Sequence, residues 1–213
     1  MLVKICGITT REAAEVAFTS GADFIGFVFA ESKRKISPEA ARDISRALPA
    51  SVKKVGVFVN ETIDKMVEIA EIVGLDYIQL HGDEPADIAA ALPYKIIKAF
   101  SVTKENLAAI ESYPCDYYLL DSPMGEYRGG NGITFDWTMI DHLAIPHEKI
   151  LLAGGLNADN IIEAIKLTNP AGVDVSSGVE TNGIKDHTKI KQFIKLAVSN
   201  RKDETIDNLH NAR

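Results

Sequence analysis

Short apolar segments typical of β-strands alternate with helical patterns along nearly the whole chain. Predicted strands cover residues 2–5, 24–29, 52–59, 77–80, 95–99, 117–120, 150–153 and 173–175. Helical patterns cover residues 11–20, a stretch that opens at 37–38, then 62–73, 84–92, 104–112, 157–167 and 188–199, with a short helix at 137–142. This alternation, without a linker or a shift in composition, predicts a single α/β domain folded as a (β/α)8 TIM barrel. The barrel spans residues 1–213, with a polar C-terminal extension from about residue 200.

A doubly wound open sheet is the alternative fold for the same alternation. Nucleotide-binding sheets of that kind usually carry a G-x-G-x-x-G sequence after the first strand. This chain has C-G-I-T at residues 6–9 instead, which favours the barrel. In a (β/α)8 barrel the functional residues lie at the carboxyl ends of the strands, so the residues that follow each predicted strand are the candidates for chemistry.

Composition excludes several classes of partner. The formal net charge is -7 over 213 residues, which argues against nucleic acid or an anionic membrane as a partner. No apolar run approaches the roughly 18 residues that a membrane span requires, and the first residues do not resemble a signal peptide. The two cysteines form no disulfide framework and have no metal-ligand spacing. We therefore expect a cytoplasmic protein without a metal site.

The first predicted strand directs two reactive side chains towards the barrel interior. Strand alternation turns Val3 and Ile5 towards the surrounding helices and Lys4 and Cys6 inward. On the eighth strand it also turns Asp174 inward, and strand 8 lies beside strand 1 in a closed barrel. Because an isolated buried charge is costly, we expect an ion pair between Lys4 and Asp174. That charge should lower the pKa of the Cys6 thiol towards neutrality. A cysteine that merely packs is the alternative interpretation.

Two loops have the composition of a phosphate site. Strand 7 ends in A-G-G-L-N, which contains Gly154 and Gly155, and strand 8 ends in D-V-S-S-G-V-E, which contains Ser176, Ser177 and Gly178. The loops after strands 7 and 8 often hold phosphate in such barrels, and exposed backbone amides at a helix start attract an anion. Tight strand-to-helix turns without a ligand are the alternative. The pair of loops at these two places favours phosphate binding.

Four further polar residues lie near or after the carboxyl ends of predicted strands. Asp121 ends an apolar strand, and partial desolvation raises the pKa of a carboxyl group towards the range of a general acid. His81 is the alternative acid–base group, with Gln79 beside it on strand 4. Arg34, in the loop after strand 2, could bind a substrate carboxylate through two hydrogen bonds. Helix capping by Asp121, a loop contact by His81 and a solvated basic loop around Arg34 are the alternatives.

An ordered set of motifs resembles the phosphoribosylanthranilate isomerases of tryptophan biosynthesis from residue 2 to about residue 199. The motifs are K-I-C-G-I-T, G-F-V-F-x-x-S-K-R, V-G-V-F-V-N, Q-L-H-G, L-L-D, G-G-N-G-x-x-F-D-W, L-A-G-G-L-N and D-V-S-S-G-V-E. The resemblance implies an Amadori rearrangement of N-(5-phosphoribosyl)anthranilate to 1-(2-carboxyphenylamino)-1-deoxyribulose 5-phosphate, without a cofactor. It assigns Cys6 as the general base, Asp121 as the general acid and Arg34 as the residue that binds the anthranilate carboxylate. Asn131 and Ile133 depart from the family pattern.

Other functions remain open from the sequence. The histidine-pathway isomerase that runs an analogous Amadori step resembles a two-carboxylate design, with Asp where Cys6 stands. A pentulose-phosphate epimerase needs metal-ligating His and Asp at several strand ends, and this chain offers only His81 at a comparable place. A non-catalytic protein that binds phosphate ligands has no need of an acid and a base that face each other. We expect a small phosphosugar substrate, no nucleic-acid or membrane partner, and a monomer or weak homodimer.

Overall fold

The structure is a computed structural model that describes residues 1–103, 105–121 and 137–210, with side chains described as far as residue 199. Eight parallel strands close into a barrel in the order of the sequence, so the predicted (β/α)8 fold is confirmed. The strands are β1 (Leu2–Cys6), β2 (Phe24–Val28), β3 (Lys53–Phe58), β4 (Tyr77–Leu80), β5 (Lys95–Ser101), β6 (Tyr117–Asp121), β7 (Ile150–Leu152) and β8 (Gly172–Val175).

Helices cover the outside of the barrel between the strands. They are α1 (Arg11–Thr19), α2 (Pro38–Ala47), α3 (Ile63–Val73), α4 (Ala86–Ala91), α5 (Leu107–Glu111), α6 (Ile161–Thr168) and α7 (His187–His210). Short 3-10 helices occupy Trp137–His142, His147–Lys149 and Ser177–Val179. A two-stranded antiparallel hairpin of β9 (Glu180–Thr181) and β10 (Ile184–Lys185), which is not among the predicted elements, follows β8.

Local sequence explains several helix ends. Ser37 caps α2 by accepting a hydrogen bond from the backbone N–H of Ala40, and Pro38 occupies the first turn, where no intrahelical N–H bond is lost. Gly74 ends α3 in the left-handed region. The sixth helix differs from the prediction, because it begins at Ile161 rather than at residue 157. The residues before Ile161 form a turn held by side-chain amides instead.

The remaining predictions from the sequence concern the Gly-rich loop, the C-terminal extension and membrane-spanning helices. The Gly-rich loop at residues 122–134, with Asn131 and Ile133, lies outside the described residues. The polar extension continues α7 as far as His210, and residues 211–213 lie outside the description. Within the part of the chain that the structure describes, no helix combines the length and the apolar character needed to cross a membrane.

Side chains fill the barrel interior in layers. The lowest layer contains an aromatic cluster of Phe24, Tyr77 and Tyr117, with ring centroids 5.5 to 6.2 Å apart. Strand alternation and register then give the successive layers Lys4, Val55, Ile97 and Leu151; Gly26, Gln79, Leu119 and Asp174; and Cys6, Val57, Ala99 and Ala153. Each layer takes its members from alternate strands. The interior is therefore aromatic at the amino ends of the strands, and its buried polar side chains, Lys4, Gln79 and Asp174, lie in the two middle layers.

Aspartates at the amino ends of three even-numbered strands join each of these strands to the one before it. Asp116 donates its backbone N–H to the carbonyl of Ile96 at 2.9 Å, and its carboxylate accepts the backbone N–H of Ile96 at 2.8 Å. The same two contacts are made by Asp23 with Val3 and by Asp76 with Lys54. The side chain thus satisfies a backbone donor at the edge of the barrel that water would otherwise reach only in part. These contacts fix the start of each strand pair.

We predict that Asp116→Ala lowers the free energy of unfolding by about 1–3 kcal/mol, because the N–H of Ile96 loses its acceptor. Urea denaturation of the purified protein measures this change. Asp43→Ala is the control, since Asp43 lies on the exposed face of α2 and should change stability by less than about 0.5 kcal/mol. Equal stability of Asp116→Ala and the wild type would contradict the assignment.

Candidate active site

Cys6 and Asp121 lie at the same opening of the barrel. Cys6 is the last residue of β1 and Asp121 the last of β6, and both are buried, at 8% and 7% exposure. Parallel strands present their carboxyl ends at one face, and β7 and β8 separate the two residues along the shorter arc. We call this opening the mouth. The structure therefore brings a thiol and a carboxyl group to one rim, on strands that are not neighbours.

An ion pair lies beneath this rim, as the sequence predicted. Lys4 and Asp174 are register partners across β1 and β8, and Lys4 Nζ lies 2.9 Å from Asp174 Oδ1. Lys4 is fully buried. Burial by itself lowers the pKa of Lys4, but the negative charges of Asp174 and of a Cys6 thiolate outweigh burial and the pKa is raised. Lys4 is therefore an ammonium ion inside the barrel.

The expected acidity of Cys6 is not observed. Burial raises the pKa of the Cys6 thiol above its ordinary value, and the positive charge of Lys4 offsets only part of that rise. Asp174 raises the pKa further, while a hydrogen bond from Lys4 and the charge of Lys185 lower it. The prediction of a near-neutral thiol is thus wrong for this structure, because desolvation of the thiolate exceeds the attraction of the two lysines.

A chain of polar side chains reaches Asp121 from β4. Gln79 Nε2 lies 2.9 Å from His81 Nδ1, so the amide donates and the proton of a neutral imidazole lies on Nε2. That Nε2 lies 3.6 Å from Asp121 Oδ2. Gln79 is 1% exposed, and its Oε1 accepts no hydrogen bond from any residue that the structure describes. A buried acceptor of this kind is costly unless a ligand satisfies it.

The β4 loop is held in place by two charged residues that were not among the predicted site residues. Glu84 accepts hydrogen bonds from the backbone N–H groups of Gly82, at 2.9 Å, and Asn60, at 2.7 Å. Lys98 Nζ lies 3.1 Å from Glu84 Oε2 and donates to the carbonyl of Gly82 at 2.7 Å. A cavity of about 470 Å³ extends along these residues to His81 and Asp121. Periodicity could have indicated Lys98, which is a charged residue inside an apolar strand.

The two predicted phosphate loops contact each other. In the β7 loop, Gly154 and Gly155 have φ values of 78° and 64°. In the β8 loop, a Cβ on Gly178 would lie 1.9 Å from the carbonyl oxygen of Leu156, so only glycine permits this approach. Ser177 begins a 3-10 turn. Gly154 and Gly155 do not lead directly into a helix, contrary to the sequence prediction, because α6 begins later at Ile161.

Arg34 reaches across the rim to β9. Its Nε lies 2.7 Å from Glu180 Oε1 and its Nη2 lies 2.9 Å from Glu180 Oε2, a bidentate pair. The Cδ of Arg34 lies 2.5 Å from the position of a Cβ on Gly7, whose φ is 75°. Glu180 and Lys185 were not among the predicted site residues. The dipeptide Asn182–Gly183 between them, with both φ values positive, is a hairpin signal that could have indicated them.

We predict that Lys4→Met destabilises the fold and raises the pKa of the Cys6 thiol further. Removal of one partner of a buried ion pair typically costs about 3–5 kcal/mol, because Asp174 keeps an uncompensated charge. The rate of Cys6 alkylation against pH, in a Cys115→Ser background, measures the pKa, and urea denaturation measures stability. An unchanged alkylation profile would contradict the coupling between Lys4 and Cys6.

Adding Asp174→Asn to Lys4→Met is the control for this prediction. The double variant leaves no stranded charge, so it should recover part of the lost stability. A double variant as unstable as Lys4→Met would show that the ammonium ion stabilises the fold in some other way.

The chain is similar to known proteins over almost its full length. The family model for N-(5'-phosphoribosyl)anthranilate (PRA) isomerase matches residues 3–196. The N-(5'-phosphoribosyl)anthranilate isomerase of Oceanobacillus iheyensis is 52% identical over 195 residues, which cover 91% of this chain and 95% of that protein.

Solved structures agree with this match. The crystal structure of phosphoribosyl anthranilate isomerase from Thermotoga maritima has a TM-score of 0.83 and 45% identity, and the match covers 93% of this chain and 100% of that one. Another solved phosphoribosyl anthranilate isomerase, in complex with reduced 1-(o-carboxyphenylamino)-1-deoxyribulose 5-phosphate, has a TM-score of 0.79 and 42% identity, with 93% and 100% covered. The chain therefore belongs to the N-(5'-phosphoribosyl)anthranilate isomerase family, the isomerases of tryptophan biosynthesis.

Proposed function

We propose that this protein converts N-(5-phosphoribosyl)anthranilate to 1-(2-carboxyphenylamino)-1-deoxyribulose 5-phosphate, with Asp121 as general acid and Cys6 as general base. One observation carries the assignment of roles. Two buried groups that can exchange protons lie at different strands of one barrel mouth, above an interior that contains an ammonium ion. A substrate held between them can receive a proton on one side and lose one on the other.

The first step opens the ribose ring. Asp121 donates its proton to the ring oxygen, the bond between C1 and that oxygen breaks, and the nitrogen lone pair forms a C1=N double bond. The product of this step is a protonated Schiff base with a free C4 hydroxyl group. His81 Nε2, 3.6 Å from Asp121 Oδ2, stabilises the carboxylate that remains.

The second step moves a proton from carbon. The Cys6 thiolate removes the C2 proton, the C–H electron pair forms a C1=C2 double bond, and the former C=N electron pair returns to nitrogen. The resulting enolamine loses its C2 hydroxyl proton and gains a proton at C1, which yields the ketone. No oxidant or reductant enters, because the two steps only relocate protons and electron pairs within the substrate. Lys4 stabilises the thiolate form of Cys6 that this step requires.

Binding groups lie around these two residues. We assign the substrate phosphate to the backbone amides of the paired loops that contain Gly154, Gly155 and Ser176–Gly178, with Asp174 beneath them. Arg34 binds the anthranilate carboxylate. Gln79 Oε1, which lacks a partner among the described residues, accepts a hydrogen bond from a ribose hydroxyl group.

Cys6 favours this reaction over the related histidine-pathway isomerisation, because the isomerase of that pathway resembles a two-carboxylate design with Asp where Cys6 stands.

The location and the assembly of the protein are further parts of the proposal. We propose a cytoplasmic protein, since its two cysteines, Cys6 and Cys115, are free thiols. The enzyme from Thermotoga maritima is described as dimeric, and we propose a monomer or weak homodimer for this chain. A phosphosugar is the partner in either case.

We predict that Asp121→Asn lowers kcat by roughly 10²–10⁴-fold, because an amide has no proton to deliver to the ring oxygen. The decrease of anthranilate fluorescence with phosphoribosylanthranilate as substrate measures turnover, and circular dichroism confirms folding. Asp116→Asn, at the opposite end of the same strand, is the control and should retain turnover because an amide oxygen still accepts the N–H of Ile96. More than a tenth of the wild-type rate in Asp121→Asn would remove Asp121 from this role.

We predict that Cys6→Ser is similarly inactive, since a hydroxyl group is a far weaker acid than a thiol and provides almost no anion to act as base. Cys115→Ser is the matched control. Burial raises the pKa of the Cys115 thiol to about 12, and this residue precedes β6 at the end of the barrel away from the mouth. The same fluorescence assay compares the two variants. Inactivation by Cys115→Ser with full activity in Cys6→Ser would overturn the assignment of the base.

A further inference from the structure

The β9–β10 hairpin carries two charged residues with buried side chains, Glu180 and Lys185, that have no role in the proposed binding of substrate, and both lie close to Arg34, which has one. We call Arg34, Glu180 and Lys185 the hairpin cluster. Glu180 and Lys185 are direct partners in the antiparallel pairing of the hairpin. Their side chains are 7% and 4% exposed, and that of Arg34 is 21% exposed. Charged side chains this deeply buried require partners, so the arrangement of the cluster constrains each member.

Glu180 accepts hydrogen bonds from both cations. Arg34 uses Nε and Nη2 on the two carboxylate oxygens, at 2.7 and 2.9 Å. Lys185 Nζ lies 2.5 Å from Oε1 of the same carboxylate and donates to the carbonyl of Ser176 at 2.9 Å. Ser176 Oγ in turn donates to the carbonyl of Cys6 at 3.2 Å. The cluster thus connects the β2 loop, the β8 loop and the end of β1.

The orientation of the guanidinium group follows from these contacts. Glu180 occupies the Nε–Nη2 side, and the stem of Arg34 lies against Gly7 at the end of β1. A guanidinium group has a second edge, formed by Nη1 and Nη2, with the same spacing for a carboxylate. No residue that the structure describes bonds Nη1. Arg34 can therefore hold Glu180 by one edge while the other edge binds a second carboxylate.

The charges in the cluster leave Arg34 effective as a cation. Two positive groups and one carboxylate sum to one positive charge. If Lys185 were absent, Glu180 would neutralise Arg34 and would repel a second carboxylate nearby. Since Lys185 pairs with Glu180, the carboxylate can orient Arg34 without cancelling its attraction for an anion.

We propose that Glu180 and Lys185 are positioning residues that orient Arg34 and preserve its positive charge for the aromatic carboxylate of the substrate. This inference rests on the proposed function, in which Arg34 binds that carboxylate. Neither residue touches the substrate in this proposal, and both act on substrate affinity through the guanidinium group. Their effect on affinity is therefore specific to ligands that carry the carboxylate.

The test compares phosphoribosylanthranilate with phosphoribosylaniline, which lacks the carboxylate. We expect Glu180→Gln to raise KM for phosphoribosylanthranilate by roughly 10-fold to 100-fold, because the amide NH2 group opposes a guanidinium donor and releases Arg34. KM for phosphoribosylaniline and kcat for both substrates should change less than about 3-fold, which is small beside the effect of one charged hydrogen bond. Lys185→Met should raise the ratio of the two KM values in the same direction, while any loss of kcat through the weaker support of the Cys6 thiolate should be common to both substrates. Glu31→Gln, exposed in the same β2 loop, is the control and should match the wild type.

The double variant Arg34→Met/Glu180→Gln tests whether Glu180 acts through Arg34. We expect it to equal Arg34→Met alone, since non-additivity identifies residues that act as one unit. Additive losses, or an equal loss for both substrates, would show a general structural role and overturn the inference. Thermal denaturation shows whether Glu180→Gln is folded. If that variant is unfolded, the two KM values of Lys185→Met test the inference instead.

The results of these assays distinguish a failure of the positioning role from a failure of the proposed function. If the wild type turns over neither substrate, or binds both equally well, the proposed function or the role of Arg34 fails. A second outcome overturns the positioning role alone. In that outcome the wild type prefers phosphoribosylanthranilate to phosphoribosylaniline and Arg34→Met abolishes the preference, but Glu180→Gln and Lys185→Met retain it.

Discussion

The ion pair between Lys4 and Asp174 spans the line along which the barrel closes, because β1 and β8 are the first and last strands of the cylinder. A shift of register by one residue would turn every side chain of β1 to the opposite face. Lys4 would then enter the apolar layer under the helices, and Val3 or Ile5 would face Asp174. Burial of an unpaired charge is costly enough to exclude that arrangement. The pair therefore specifies the closing register as well as the charge beneath the site.

The same ion pair lies next to Cys6, and two opposing effects act on the pKa of the Cys6 thiol. Burial disfavours the thiolate, and Lys4 and Lys185 favour it. At Cys115, which is partly exposed, burial also raises the pKa of the thiol, to about 12, and the charge of Lys149 is among the weaker effects that lower it. The two positive charges near Cys6 belong to lysines that are themselves buried. A base of this kind is protected from solvent, and nearby ammonium groups stabilise its anionic form.

The sequence predicted the parts of the molecule that follow from alternation of side chains along strands. The inward direction of Lys4 and Asp174 depends on that period of two. The eight strands and the position of Asp121 at a strand end were predicted from short apolar runs. Features that depend on contacts between distant loops were not predicted. The helix α6 begins at Ile161 and not at residue 157, as predicted, because Asn160 holds the preceding residues in a turn. Its Nδ2 donates to the carbonyl of Gly155 and its Oδ1 accepts the N–H of Asn157. The bidentate pair of Arg34 with Glu180 joins residues 146 positions apart, and no local pattern encodes such a contact.

The buried lysines of the described residues are all paired with carboxylates. Three lysines are buried among the residues that the structure describes, and each contacts a carboxylate: Lys4 with Asp174, Lys98 with Glu84 and Lys185 with Glu180. In each pair the two charges cancel, which lowers the cost of removing them from water. Glu180 also holds Arg34, so that guanidinium group is a positive charge in excess of the carboxylates around it. An excess buried charge persists in a stable fold where solvent or an anionic ligand compensates it. Arg34 is partly exposed at the mouth, so its charge is available to an anionic ligand that reaches the opening between Cys6 and Asp121.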